Sequence, residues 1–414
     1  MSQISPRDVL NPLIESRASK IEDPVAKLRF LRQTDKRVGY VEQVLARPKY
    51  WWLRNQKFWI AIGFVLLIPA STLFRNSAPV TPALNALTPV TRPAIEAPLD
   101  KVWLIETKNG VETWSNGLHV ETRFATRHRT RECYVWNRNI PNSTLTQLPD
   151  KQPVGIVFHT TESTIEDLKE DKTRRLKKLG EGLLGYVQKE KAYHYVIDRF
   201  GRVFRVVQES DVANHAGNSV WADSKWAYVA LNESFLAISF ESQTTSGDEL
   251  PVISQAQIDS GRMLTRMLRS RYGIRSSNCV THAQVSLNPN TFIIGHHTDW
   301  ASNFPFEEMG LPDNYSQSIP SINLFGFSYD PAFFAATGAR MWKGIVASED
   351  MLRDEAKRKS ISVAQLRSQL RNNYRRLSEL LPDNTKPDPE PKNGASETNS
   401  QMNPNPSNAP EVNP

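Results

Sequence analysis

Cysteine is nearly absent: 414 residues hold only Cys133 and Cys279. Two thiols exclude a disulfide scaffold and a four-cysteine zinc site, and leave room for one disulfide in an oxidising compartment. A polybasic block with interleaved aromatics is also missing. The formal net charge of +7 is spread along the chain, so nucleic acid is not expected as a partner. Such a balance suits an enzyme that works near anionic surfaces. No internal repeat occurs. Hydrophobic residues make up 39%, a little low for a purely globular chain, and low-complexity ends account for the shortfall.

Long hydrophobic runs are scarce too, and the one present is informative. "FWIAIGFVLLIPASTLF", residues 58–74, carries no charge and has about the minimum length for a membrane span, roughly 17 residues. Tyr50, Trp51, Trp52 and Trp59 crowd its N-terminal side, as an interfacial aromatic belt does. Arg47, Lys49, Arg54 and Lys57 precede it and only Arg75 closely follows. The positive-inside rule then puts residues 1–57 in the cytoplasm and the remainder outside. A buried core helix is the competing reading, favoured by Pro69 and the short length. No apolar core closely follows Met1, so a cleavable signal is not expected.

Residues 75–100 are rich in proline and small residues and read as a semi-extended linker. Over 101–149, short alternating runs are punctuated by Asn109-Gly110 and Asn116-Gly117, which are hairpin signals. A small β-meander is expected there. From 150 to 345 the pattern is mixed α/β, a mixed central sheet flanked by helices. "VGIVFH" and "FLAISFES" read as buried strands, and "AYHYVIDRFGRVFRVV" as strand, turn and strand. "SQAQIDSGRMLTRMLRSRYGI" has helical spacing, with Gly273 where a C-terminal glycine belongs. Residues 346–381 are helical and highly charged. The tail 382–414 is rich in Pro, Asn and Ser and is expected to be disordered.

Six of the eight histidines fall between 159 and 297, mostly at the ends of expected strands. Strand ends converge at one sheet edge, so side chains distant in sequence meet there. Residues 150–310 resemble the zinc-dependent N-acetylmuramoyl-L-alanine amidases, which share a fold with the peptidoglycan recognition proteins. "VGIVFHTTEST" looks like the first strand of that family, and "AYHYVIDRFGRVFRVVQESDVANHAG" is the most specific stretch. "LAISFES" matches the strand that ends in the family's catalytic glutamate, here Glu241. "RYGIRSSNCVTH" matches the helix end and strand that deliver the second zinc histidine.

The resemblance implies Zn2+ held by His159, His282 and Asp299. The chain departs from the family pattern at "GHHTDWA", residues 295–301. It can be laid on the family's Gly-Arg-Lys-Thr-Asp-Pro-Gly motif, with Gly295, Thr298 and Asp299 coinciding and His297 in place of the lysine. Asp299 lies 17 positions after His282, a longer interval than the family's. A competing layout makes His297 the third ligand. The resemblance further implies Glu241 as general acid/base, His297 or Tyr193 as oxyanion stabilisers, and His215 and Thr160 beside the substrate. His194 and His296 read as structural.

Three ligands with an open fourth position activate a water near neutral pH, and a carboxylate then moves its proton. The expected activity is cleavage of the amide between N-acetylmuramic acid and L-alanine in peptidoglycan or muropeptides. It would take place outside the cytoplasmic membrane, from a single-pass anchor. A non-catalytic peptidoglycan-binding module of the same fold, or an envelope scaffold, are the alternatives. Cys279 is read as a small apolar filler, a redox-sensitive neighbour or a disulfide partner of Cys133.

Overall fold

The computed structural model describes residues 99–140, 143–244 and 253–382. The N-terminal segment 1–57, the apolar run 58–74, residues 75–98 of the linker and the tail from 383 lie outside them. Among the described residues no helix is long and apolar enough to cross a membrane.

The main sheet grows around two strands that are buried on both faces. β6 (Gly155–Thr160) and β11 (Phe235–Phe240) have every residue buried, the signature of parallel strands covered on both sides. They pair in parallel, and β12 (Cys279–Thr281) adds to the other edge of β6. β7 (Tyr195–Ile197) pairs in parallel with β11 and antiparallel with β8 (Val203–Arg205). The turn between β7 and β8 is fixed by Asp198, whose Oδ1 accepts from the amides of Phe200 at 3.0 Å and Arg202 at 2.8 Å. Gly201 takes φ +80° there, and a Cβ on it would lie 2.6 Å from the Ala256 carbonyl oxygen.

The segment 101–149 is read from sequence as a meander of its own, and the structure assigns its strands differently. β1 (Leu104–Lys108), β2 (Val111–Trp114) and β3 (His119–Glu121) form the hairpins that the Asn-Gly pairs signal. β3 then pairs in parallel with β8, which completes an eight-stranded sheet of order β1-β2-β3-β8-β7-β11-β6-β12. β4 (Tyr134–Asn137) and β5 (Leu145–Gln147) join a second sheet with β9 (Val220–Ala222) and β10 (Trp226–Val229). Alternation within a strand says nothing about which distant strand lies next to it.

Helices cover the sheet. α1 (Thr173–Glu190) buries Leu176, Leu183, Leu184 and Val187. The short α2 (Leu231–Ser234) leads into β11. α3 (Gln255–Tyr272) starts with a capping box, Ser254 with Gln257, and ends at Gly273 in the left-handed region, φ +65°. α4 (His282–Val285) follows β12. Beyond residue 305 come α5 (Pro320–Asn323), α6 (Pro331–Ala336), α7 (Lys343–Arg358) and α8 (Val363–Glu379). The charged helices α7 and α8 still bury Ile345, Leu352, Leu366, Tyr374 and Leu377, in one core cluster with Val157 and Phe235 of the central strands. The core therefore runs past residue 345, where the sequence reading ends it. Cys133 and Cys279 are both buried and unpaired, consistent with apolar filling.

Replacing Gly201 with alanine would strain the left-handed backbone and press a methyl onto a helix carbonyl. We expect Gly201→Ala to lose about 1–3 kcal/mol of stability, measured by urea unfolding.

Candidate metal centre

Strand register brings the first two candidate ligands together. In the β6–β11 ladder His159 stands opposite Ser239. In the β6–β12 ladder Phe158 stands opposite Thr281, so His282, the next residue, is level with His159. Parallel neighbours at one level point to the same face, and the two imidazole centroids lie 4.4 Å apart. At His282 the chain turns abruptly into α4, through a capping box in which the Gln284 side chain accepts from the Thr281 amide at 2.9 Å.

Asp299 arrives from a loop after β14 (Ile293–Ile294), which pairs antiparallel with β13 (Leu287–Asn288). A turn closes over it: the Ala301 amide donates to the Thr298 carbonyl at 2.9 Å, and Trp300 takes φ +58°. The left-handed region costs a non-glycine residue about 1–3 kcal/mol. Burial of the indole against Phe240 and Phe304 offsets it. The Asp299 carbonyl is held by the Ala283 amide of α4 at 3.2 Å.

The Asp299 carboxylate is shared between both histidines. Its Oδ2 is 3.1 Å from His159 Nδ1 and its Oδ1 is 2.7 Å from His282 Nδ1. Burial by itself raises the Asp299 pKa, but the charge and hydrogen bonds of His282 and His159 hold it well below the usual carboxylate range. Burial and the nearby His282 push His159 down to about 4, against the pull of Asp299. At neutral pH the group is thus a neutral His159 imidazole beside a carboxylate, which are the protonation states a metal requires.

One donor atom from each of the three residues lies within 4.8 Å of the others. Donors around a tetrahedral zinc stand about 3.3 Å apart, given bonds of about 2.0 Å, so the set fits such an ion. The other nitrogen of His159, Nε2, lies 3.1 Å from His215 Nδ1. A ligating histidine needs such a partner to fix its tautomer. His215 is itself fixed by Asn232, whose Oδ1 accepts from the amides of His215, Ala216 and Gly217 at 3.0, 2.7 and 3.3 Å.

Residues 149–305 match the family model described as N-acetylmuramoyl-L-alanine amidase. This part of the chain resembles that family. A comparison with curated proteins gives no match. Among solved structures, the chain is similar to the N-acetylmuramoyl-L-alanine amidase LysC from Clostridium intestinale URNW. That match has 23% identity, covers 38% of this chain and 83% of that one, and has a TM-score of 0.24. AmpDh3 from Pseudomonas aeruginosa, in complex with anhydromuramic pentapeptide, matches at 19% identity over 51% of this chain and 89% of that one, TM-score 0.31. AmiD from E. coli, in complex with anhydro-N-acetylmuramic acid-L-Ala-D-gamma-Glu-L-Lys, matches at 19% over 49% and 65%, TM-score 0.29. At these values the likenesses carry nothing about activity.

The remaining residues singled out on the amidase pattern fall in distinct places. Tyr193 and His194 precede β7 and alternate. The Tyr193 ring lies 5.2 Å from that of His159; burial, then the Asp299 charge, push its hydroxyl pKa up, so the hydroxyl keeps its proton. His194 is buried, with Nδ1 accepting from the Ala237 amide at 3.0 Å and Nε2 3.1 Å from the Asp211 carbonyl. Glu241 follows the last residue of β11 and is buried. Its Oε2 accepts from the Arg199 amide at 3.1 Å, and the Arg199 guanidinium lies 3.7 Å away. Burial raises its pKa in spite of that arginine.

His297 is exposed and stands outside the group formed by His159, His282 and Asp299. Its ring stacks on that of His282 at 4.9 Å and 18°. Desolvation by this packing, and the His282 charge, bring its pKa down to about 4. His296 lies edge-on to His297 at 4.7 Å. Thr160 is buried, and its hydroxyl donates to Glu162. His215, read as a groove residue, is in direct contact with His159. Sequence reasoning missed Asn232, 17 positions from His215, and Arg131. The buried Arg131 donates to the Glu209 and Asp211 carbonyls beside His194 at 2.7 and 3.1 Å. No motif marks either residue.

Because His159 is lowered from its ordinary value to about 4, the metal-free native state binds fewer protons than the unfolded chain between those values. Its contribution is fully present above about pH 6.5 and is lost as pH falls towards 4, by roughly 3 kcal/mol. Urea unfolding of chelator-treated protein at pH 7 and pH 4.5 should show this loss, and His159→Gln should reduce it. Equal losses in both proteins would refute the assignment.

Proposed function

We propose that the chain is a membrane-anchored zinc amidase that hydrolyses the bond between the lactyl group of N-acetylmuramic acid and L-alanine in peptidoglycan. The observation that carries this reading is one buried carboxylate, Asp299, bonded to two histidines at the edge of an amidase-family sheet. A zinc ion held by His159, His282 and Asp299 would supply a water with a pKa lowered towards neutrality and polarise the scissile carbonyl. Glu241, with its pKa raised by burial, is suited to take a proton from water and deliver it to the leaving amine of alanine. Tyr193 stays protonated and is a neutral donor for the developing oxyanion. His297 is neutral at neutral pH, so it serves as a hydrogen-bond donor and not as a cation in the place of the family's lysine.

A non-catalytic binding module rests on a lost ligand, and the contacts of Asp299 with both histidines speak against that alternative. The anchor is proposed from the sequence: run 58–74 with its basic N-terminal flank places the N-terminus in the cytoplasm and residues 150–345 outside, where cell wall is found.

Metal analysis of the purified chain tests the reading. We expect about one zinc per chain, lost in Asp299→Ala and kept in His297→Ala. Loss in His297→Ala alone would move the third ligand, and no zinc in the parent protein would sink the proposal. Glu241→Gln should keep zinc and release peptides from purified peptidoglycan 10²–10⁴-fold more slowly, the usual range for losing a general acid/base.

A further inference from the structure

The turn that carries Asp299 does not hold itself. Trp300 adopts φ +58°, and the two carbonyls that follow the ligand need donors in a buried setting. Both donors come from beyond residue 305, outside the matched family segment. The Tyr315 hydroxyl donates to the Trp300 carbonyl at 2.6 Å. The Trp342 indole N–H donates to the Ala301 carbonyl at 2.9 Å. The two rings stack on each other at 5.0 Å and 27°. Trp342 is also edge-on to Phe333 at 5.2 Å. Phe333 in turn fills the space beneath Gly295: a Cβ at Gly295, φ +75°, would lie 2.0 Å from its ring. Both ends of the loop 295–301 are thus held by residues 315–342.

We infer that Tyr315 and Trp342 are positioning residues that aim Asp299 at His159 and His282, so that the metal site includes the C-terminal segment as well as the family domain. This rests on the zinc reading above. Without the two donors, the turn has no partner for its buried carbonyls and a strained residue at its centre. It relaxes, and the carboxylate leaves the line between the two imidazoles. Metal affinity falls while the sheet that carries the histidines stays intact.

The test is a zinc competition titration of the full chain against a chelating dye, for the parent protein, Trp342→Phe and Tyr315→Phe. Each variant keeps the ring and removes one donor. Trp221→Phe is the control, because its indole donates to the Ser277 carbonyl at 3.2 Å away from the loop. Circular dichroism and the unfolding midpoint of metal-free protein are recorded alongside. We expect Trp342→Phe and Tyr315→Phe each to weaken zinc ten- to a hundredfold, the range for residues that orient ligands, and Trp221→Phe to leave it unchanged. Zinc bound equally by all four proteins overturns the inference and leaves the amidase reading intact. Equal weakening in the Trp221 control also overturns it, since the effect is then general destabilisation. A parent protein that binds no zinc overturns both. If Trp342→Phe does not fold, Tyr315→Phe decides alone.

Discussion

One buried carboxylate between two imidazoles organises this molecule. Removed from water, Asp299 is costly to keep charged unless every lone pair finds a partner. His159 and His282 supply those partners, and that requirement reaches far into the fold. β6 and β12 must run parallel and in register for the two rings to be level. α4 must begin at His282, so that its first turn both aims the ring and offers the Ala283 amide to the Asp299 carbonyl. A slip of one residue in either ladder would turn one histidine to the opposite face.

The same alternation divides labour between neighbours. Tyr193 and His194 are adjacent, yet one ring lies near His159 and the other is committed to the Ala237 amide. His194 thereby ties β7 to β11, the strand that ends next to Glu241. His215 extends the chain of contacts outwards, from Asp299 through His159 to a loop fixed by Asn232. Rigidity at the centre comes from such ties between segments far apart in sequence, and a precise donor set depends on it.

How much of this is legible in the sequence depends on whether the feature is local. β6 and β11 are visible as short apolar runs, and α3 by its periodicity and Gly273. The Asn-Gly pairs mark the hairpins of β1 to β3. The parallel pairing of Val120 with Val203 is invisible, because periodicity has no term for distant neighbours. At the centre, histidines at strand ends are a local signal. Family resemblance suggests which of them meet, and their meeting depends physically on register. His215 reads as a groove residue because its motif lies on a loop; the three amides on Asn232 that turn it inwards have no sequence signature. In α8 the charge does not hide the stripe: Val363, Leu366, Leu370 and Tyr374 recur at helical spacing in the sequence, and Leu366 and Tyr374 are buried.

Trp300 shows why local rules fail where they do. A turn with φ positive at its third position favours glycine, and a bulky aromatic there conflicts with local preference. Glycine would relax the backbone but leave a void between Phe240 and Phe304, where the indole is buried. It would also free the turn to sample other conformations. Tryptophan exchanges backbone ease for a side chain that can be packed, and the packing dictates the direction of the preceding carboxylate. Strain of this kind persists only when its surroundings over-determine it. Here the surroundings include the aromatic core under β11 on one side and the Tyr315–Trp342 stack on the other. The loop 295–301 is therefore held by residues that no motif around Asp299 contains, Tyr315 and Trp342 of the C-terminal segment among them.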